Sequence, residues 1–332
     1  MTKKHFFRGR ASLPRAVCAV LLLVALLCAP AYAAETSLVP VGRTVGIQLQ
    51  MPGAMVVGLS TADCPSPAQA AGIRTGDLIV AIQGKSVSSA SAFLEQAAKI
   101  DGTPVCITVE RSGSRLDFTV TPSRTESGWV LGLWLRDSIT GIGTLTYYDP
   151  ETGFYGALGH PINDVDTGVR LPVGSGKLMD AEITGVRPGQ VGRPGELSGS
   201  FDFDHSCGSI LINSDCGIFG YLDGIDPADA LPVATASEIH PGKASILSNV
   251  EGCAVAEYEI EIEQVQPGGA HPLSFRVTDQ KLLSITGGIV QGMSGSPILQ
   301  DGKLVGAVTH VLINDPTRGY GIFIENMLDA AA

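Results

Sequence analysis

The segment Gly287-Gly288-Ile289-Val290-Gln291-Gly292-Met293-Ser294-Gly295-Ser296-Pro297-Ile298-Leu299 sets a serine among glycines. Flanking glycines let the backbone fold tightly enough for the N–H groups of Gly292 and Ser294 to converge beside the Ser294 hydroxyl. Two such amides make an oxyanion hole, and a serine beside one is equipped for acyl transfer. Ser296 competes as nucleophile but is disfavoured by the proline directly after it. A serine hydroxyl needs a base within hydrogen-bond reach. His160 is the best candidate, because it ends the apolar run Phe154-Tyr155-Gly156-Ala157-Leu158-Gly159 and precedes Pro161, which holds it at a strand end. His205, His240, His271 and His310 are the other histidines of this region. A carboxylate that orients the base could be Asp164, Asp166, Asp202, Asp204 or Asp279, and spacing does not choose among them.

The elements that must carry these groups read as strands. Gly143–Asp149 and Phe154–Gly159 flank the turn Pro150-Glu151-Thr152-Gly153, and the nucleophile segment runs into the Asp301-Gly302 turn and the strand Leu304–Val311. A Gly-x-Ser-Gly-x-Pro loop leading into a hairpin is similar to the nucleophile region of chymotrypsin-like serine proteases. His310, 16 residues after Ser294, then falls on the strand that walls the substrate pocket, as a specificity residue.

Upstream, Ala68-Gln69-Ala70-Ala71-Gly72-Ile73-Arg74-Thr75-Gly76-Asp77-Leu78-Ile79-Val80-Ala81-Ile82-Gln83-Gly84 runs from a short helical turn into a strand, and Ser89–Lys99 is amphipathic. Residues 41–123 resemble a PDZ domain of the bacterial protease type. The resemblance implies a peptide groove along Gly46, Ile47 and Leu49, where a ligand adds as a strand beside the helix.

Further blocks complete the pattern: Arg136-Asp137-Ser138 with Gly141-Ile142-Gly143-Thr144, Ala157–Ile162 with Asp166-Thr167-Gly168, and Gly306–Val311 with Asn314-Asp315-Pro316-Thr317. Together with the nucleophile segment they resemble the stage IV sporulation protein B peptidase family, over nearly the whole chain. That resemblance implies a mainly β protein: an export signal or anchor (1–33), a PDZ domain (41–123) and a chymotrypsin-like β-barrel peptidase domain (126–332). It assigns His160 and Ser294 as catalytic and places the acidic member on Asp279. The 15-residue gap from Asp279 to Ser294 is shorter than usual and suits equally a residue that orients the nucleophile loop. By the same resemblance the enzyme acts in the space between the two spore membranes, cleaves itself, and cuts the extracytoplasmic part of a membrane-anchored inhibitor of an intramembrane metalloprotease. Pro-sigma-K processing follows.

The N-terminus agrees with export. Lys3, Lys4, Arg8, Arg10 and Arg15 precede or flank the apolar run Ala16–Ala29, and Ala31-Tyr32-Ala33 offers a cleavage site. Five cysteines remain after it (Cys64, Cys106, Cys207, Cys216, Cys253); Cys207 and Cys216 could pair, but an odd, sparse set fits free thiols better. His205-Ser206-Cys207 with Cys216 lacks a fourth ligand, so neither metal nor cofactor is expected. With 41 Gly and 20 Pro, 44% hydrophobic and 17% charged residues, the chain is neither disordered nor a helical bundle. A net charge of −11 with no basic run in the body disfavours nucleic acid as partner. The opposing reading is a PDZ adaptor with a silent β domain, against which the intact serine loop and His160 weigh. An α/β-hydrolase is disfavoured because Ser296 stands where its G-x-S-x-G elbow needs glycine.

Overall fold

The computed structural model describes residues 36–60, 65–126, 128–222, 224–226 and 229–332. The export-signal expectation (1–33) and Cys64 lie outside them. Residues Ser37–Ala332 form one compact unit.

The C-terminal half closes into a six-stranded antiparallel barrel, in the order Gly242–Ser248, Ala256–Val265, Leu273–Val277, Asp315–Phe323, Lys303–Leu312, Pro297–Gln300. Its sequence has the period of two that a half-buried strand requires. In Ala256–Val265, Tyr258, Ile260 and Ile262 point into the core while Glu257, Glu259 and Glu261 face solvent.

A second ring precedes it. The strand Thr44–Gly58 lies between Trp134–Tyr148 and Ser175–Arg187, and Trp134–Tyr148 pairs onward with Phe154–Ala157, then Gly217–Tyr221. Ser175–Arg187 pairs with Gly208–Ser209, and a Gly208↔Leu222 bridge returns the chain to the end of the Gly217–Tyr221 strand. The C-terminal helix Ile324–Ala331 stitches the two barrels. Its Ile324 and Met327 are buried with Tyr147 and Phe219 of the first and Leu304 and Ala307 of the second.

Two 15-residue strands, Thr44–Gly58 and Trp134–Tyr148, serve two modules at once. Their inner halves build the first barrel. Their outer ends continue into the smaller module, where Ala54 and Met55 pair with Ile79 and Leu78, and Leu135 and Trp134 pair with Val56 and Gly58. That module has its own core of Ile73, Ile79, Ile82, Phe93, Ile107 and Val109. The buried Asp77 anchors its Arg74–Asp77 turn, accepting from the Arg74 amide at 2.8 Å and from Arg111 at 2.6 and 2.7 Å.

This arrangement corrects the peptide groove expected at Gly46, Ile47 and Leu49. These residues pair on both sides, with Ile142, Gly141 and Ile139 on one strand and Met179, Leu178 and Gly176 on the other. No edge is left for an added strand. Ile47 and Leu49 are 3% and 0% exposed, and a Cβ on Gly46 would lie 2.6 Å from the Phe201 ring. Cys207 and Cys216 carry free thiols, and burial pushes the Cys207 thiol up to about 11.

Candidate active site

The first barrel delivers His160. Its strand Phe154–Ala157 ends in Leu158 and Gly159, both left-handed at φ +69°. For a bulky residue such as Leu158 that conformation is costly and persists only where surroundings enforce it. They do so here. The Leu158 amide donates to Thr144 O at 3.2 Å, and its side chain fills the space a Cβ on Gly143 would take, 2.2 Å from Cδ2. The turn swings the imidazole into a cleft of about 540 Å³ between the barrels, which Ser294 and His310 also line.

The second barrel delivers Ser294. The helix Gln280–Thr286 ends at Gly287 (φ +72°), and the loop to Pro297 is held by main-chain bonds from Ile289 to Pro316, Gly295 to Val308 and Val308 to Ser296. Gly295 at φ +97° presses against the His160 turn so closely that a Cβ there would lie 2.0 Å from Thr144 O and 2.6 Å from Leu158 N. Thr144 clamps the loop from the first barrel: its amide donates to Ser294 O at 3.0 Å and its Oγ1 to Gly292 O at 2.7 Å. The Gly292 and Ser294 amides donate to no partner among the described residues, which leaves both available to a developing oxyanion. Ser296, by contrast, is fully buried and outside the cleft.

The Ser294 hydroxyl donates to Thr309 O at 2.8 Å. His160 Nδ1 lies 2.9 Å from Pro161 O. A carbonyl only accepts, so Nδ1 carries the proton and the Nε2 lone pair is free to act as base. Burial lowers the His160 pKa below its ordinary value, only partly offset by the Pro161 carbonyl, so the ring is neutral at neutral pH. His310 sits with its ring centroid 5.2 Å from that of His160, and its own pKa is lowered by burial and then by His160 and His271. His271 stacks on Tyr320, while His205 and His240 pair with Asp202 and Asp301 on the surface.

Asp279, expected as the carboxylate that orients the base, sits elsewhere. It is the N-cap of the Gln280–Thr286 helix, where it accepts from the Leu282 amide at 2.8 Å, and it does not line the cleft. The other four aspartates are also engaged away from His160. Arg136 holds Asp164 and Asp166, Asp202 pairs with His205, and Asp204 is exposed beside it. The partner that orients His160 is therefore a main-chain carbonyl, which no residue type announces.

The small module does carry an apolar groove beside the expected helix, but its other wall is not Gly46, Ile47 and Leu49. The groove lies between the helix Ala90–Ala97 and residues 129–135, with Phe93, Leu94, Leu131, Leu133 and Trp134 on its walls. Leu131-Gly132-Leu133 repeats the apolar–Gly–apolar pattern of Val45-Gly46-Ile47, and only the pairing of the strands tells the two apart.

The sequence model of the SpoIVB peptidase S55 family matches residues 127–328, more than half of the chain. The chain belongs to this family. A PDZ domain model matches residues 44–121. The protein is thus a PDZ-containing S55 serine peptidase, of mainly β fold. Among curated proteins, this S55 peptidase is similar to one of Agrobacterium fabrum that bears the name "Putative zinc metalloprotease Atu1380", 27% identical over 224 residues, which cover 66% of this chain and 55% of that one. It is also similar to serine protease HTRA1 of Xenopus tropicalis, 38% identical over 61 residues, 18% of this chain and 13% of that one. The chain thus spans about half the length, or less, of these curated relatives. Among solved structures, the active form of the Rv3671c protease of M. tuberculosis aligns with a TM-score of 0.33 at 14% identity, covering 59% of this chain and 74% of that one.

Proposed function

We propose that this peptidase is a regulatory endopeptidase of sporulation. It is exported, cleaves itself, and cuts the extracytoplasmic part of a membrane-anchored inhibitor of an intramembrane metalloprotease, so that pro-sigma-K is processed. The membership of the S55 family supports the role. The observation that carries the chemistry is one cleft holding Ser294, a neutral His160 with a free Nε2, and two undonated amides.

The reaction follows from these groups. Ser294 Oγ turns from Thr309 O and attacks the scissile carbonyl as its proton passes to His160 Nε2. The new oxyanion takes hydrogen bonds from the Gly292 and Ser294 amides, and the imidazolium is held through Nδ1–H by Pro161 O. Collapse breaks the C–N bond, and Nε2 returns the proton to the leaving amine. Water, activated by the same Nε2, then hydrolyses the acyl-enzyme. The apolar walls of the cleft (Ile47, Ile142, Leu158, Val290, Val311) favour apolar substrate side chains, with His310 at the rim to meet an acidic or amide one. The PDZ groove takes an apolar peptide terminus between the Ala90–Ala97 helix and Leu131–Leu135.

The purified full chain, wild type beside Ser294→Ala, tests this by mass spectrometry of the fragments formed alone and with an inhibitor ectodomain. Discrete cleavage by the wild type only is expected. Identical fragments from Ser294→Ala would refute the assignment.

A further inference from the structure

The dipeptide Arg136-Asp137 lies where the Trp134–Tyr148 strand passes from the PDZ groove to the catalytic barrel. Adjacent residues of a strand point to opposite faces. On one face, Asp137 Oδ2 accepts from the Ala90 amide at 2.8 Å, which ties down the first turn of the groove helix. On the other, Arg136 binds Asp164, through Nη1, and Asp166, through Nη2 at 2.7 Å.

Those two aspartates belong to the hairpin that follows His160. Asp164 is 1% exposed and organises its tip: its Oδ1 accepts from the Asp166 and Thr167 amides at 3.1 and 2.9 Å, and its own amide donates to Val169 O. Asn213 pins the hairpin's base by bonding Ile162 and Leu171. The hairpin also touches the PDZ module, because Val169 Cγ2 lies 3.1 Å from where a Cβ on Gly76 would stand. Pro161, whose carbonyl orients the imidazole, is thus only three residues from the carboxylate that Arg136 grips.

We propose that Arg136 is a positioning residue for His160, and that with Asp137 it couples the PDZ groove to the catalytic base. The groove helix and the His160 hairpin are fastened to neighbouring residues of one strand, whose preceding residues, Leu131–Leu135, wall the groove itself. A ligand wedged between helix and strand strains the Asp137 contact, and the same strand segment carries the strain to Arg136. The forked guanidinium suits the task, since one rigid group spans two carboxylates. The proposal rests on His160 being the base, and its test reads the imidazole directly.

The experiment is an NMR titration of His160 in the full chain carrying Ser294→Ala, beside the rate at which a fluorophosphonate labels Ser294 in the active chain. Arg136→Leu alone strands the buried Asp164 carboxylate, so it is combined with Asp164→Asn, whose amide oxygen keeps the hairpin turn. In Arg136→Leu/Asp164→Asn, His160 loses its burial and its titration midpoint rises toward 6.5, while labelling slows about 10- to 100-fold, as for a misplaced catalytic group. Asp137→Ala leaves the helix capped by Ser89 and moves the midpoint in the same direction by less. A wild-type midpoint in the Arg136 variant overturns the positioning role. A shift there with none in Asp137→Ala overturns the coupling to the PDZ groove. Absence of labelling in the wild-type chain would count against the peptidase reading alone, because the titration needs no activity.

Discussion

Thr144 is the point at which the first barrel grips the nucleophile loop, and Thr144→Val removes one bond of that grip at almost constant volume. The side chain is fully buried and its Oγ1 donates to Gly292 O at 2.7 Å. Valine leaves that carbonyl without its partner, at a cost of about 1–3 kcal/mol in stability. The effect on rate has an upper bound. Complete loss of one oxyanion donor costs about 10²–10³ in rate. Here the Gly292 amide is loosened while the Thr144 amide still holds Ser294 O, so a fall of roughly tenfold is expected, or about 1.4 kcal/mol of barrier. The interaction acts on the transition state, so the loss falls on the maximal rate of phosphonylation by a fluorophosphonate, in which Ser294 Oγ displaces fluoride from phosphorus, and leaves the half-saturating probe concentration unchanged. Thr144→Ser keeps the hydroxyl and restores the rate. An unaltered maximal rate in a Thr144→Val protein with reduced denaturant midpoint would refute the clamp, and so would equal loss in both variants.

Two further predictions concern the base and its supposed partner. Asp279→Asn keeps a good N-cap and is expected to change stability by no more than a few tenths of a kcal/mol and to retain activity, whereas Asp279→Ala costs about 1 kcal/mol in denaturant melts. A fall of about 10⁴ in the asparagine variant, the size seen when a triad aspartate is so replaced, would return Asp279 to the catalytic group. The acid limb of kcat/KM reports His160, whose folded pKa lies below 6.5 because the ring is buried, so activity is expected to persist below pH 6.5 and fall as His160 protonates. The same sign applies to stability: the contribution of neutral His160 is complete above 6.5 and is lost as pH falls from there through the folded value. A limb at or above 6.5 would contradict the half-buried, neutral imidazole.

Much of the candidate site is legible in the sequence because its geometry is local. The glycines around Ser294 mark a loop that only glycine can form, and the structure supplies the reason at Gly295, Gly287 and Gly288, where a Cβ would strike backbone at 2.0 to 2.6 Å. His160 was legible as a strand end. What stayed hidden depends on long-range pairing. Val45-Gly46-Ile47 and Leu131-Gly132-Leu133 read alike, but the first is locked between two strands more than 80 residues away in sequence and the second borders an open groove. Asp279 shows the reverse failure. An aspartate just before a short apolar helix is a capping residue by local rules, whereas its place in the catalytic group rested on the family resemblance alone. The oxygen that does meet His160 belongs to the backbone of Pro161, invisible in any pattern of side chains. The Arg136 contacts to Asp164 and Asp166 were equally out of reach, since they span 28 and 30 residues across two elements.

We propose Ser294 as the nucleophile and His160 as its base. Reaction of the purified chain with a fluorophosphonate, followed by peptide mapping, tests this most directly. The adduct is expected on Ser294 in the wild type, at a rate that His160→Ala lowers by orders of magnitude, and is absent from Ser294→Ala. An adduct on Ser296, or labelling of Ser294 that is indifferent to His160, would contradict the account.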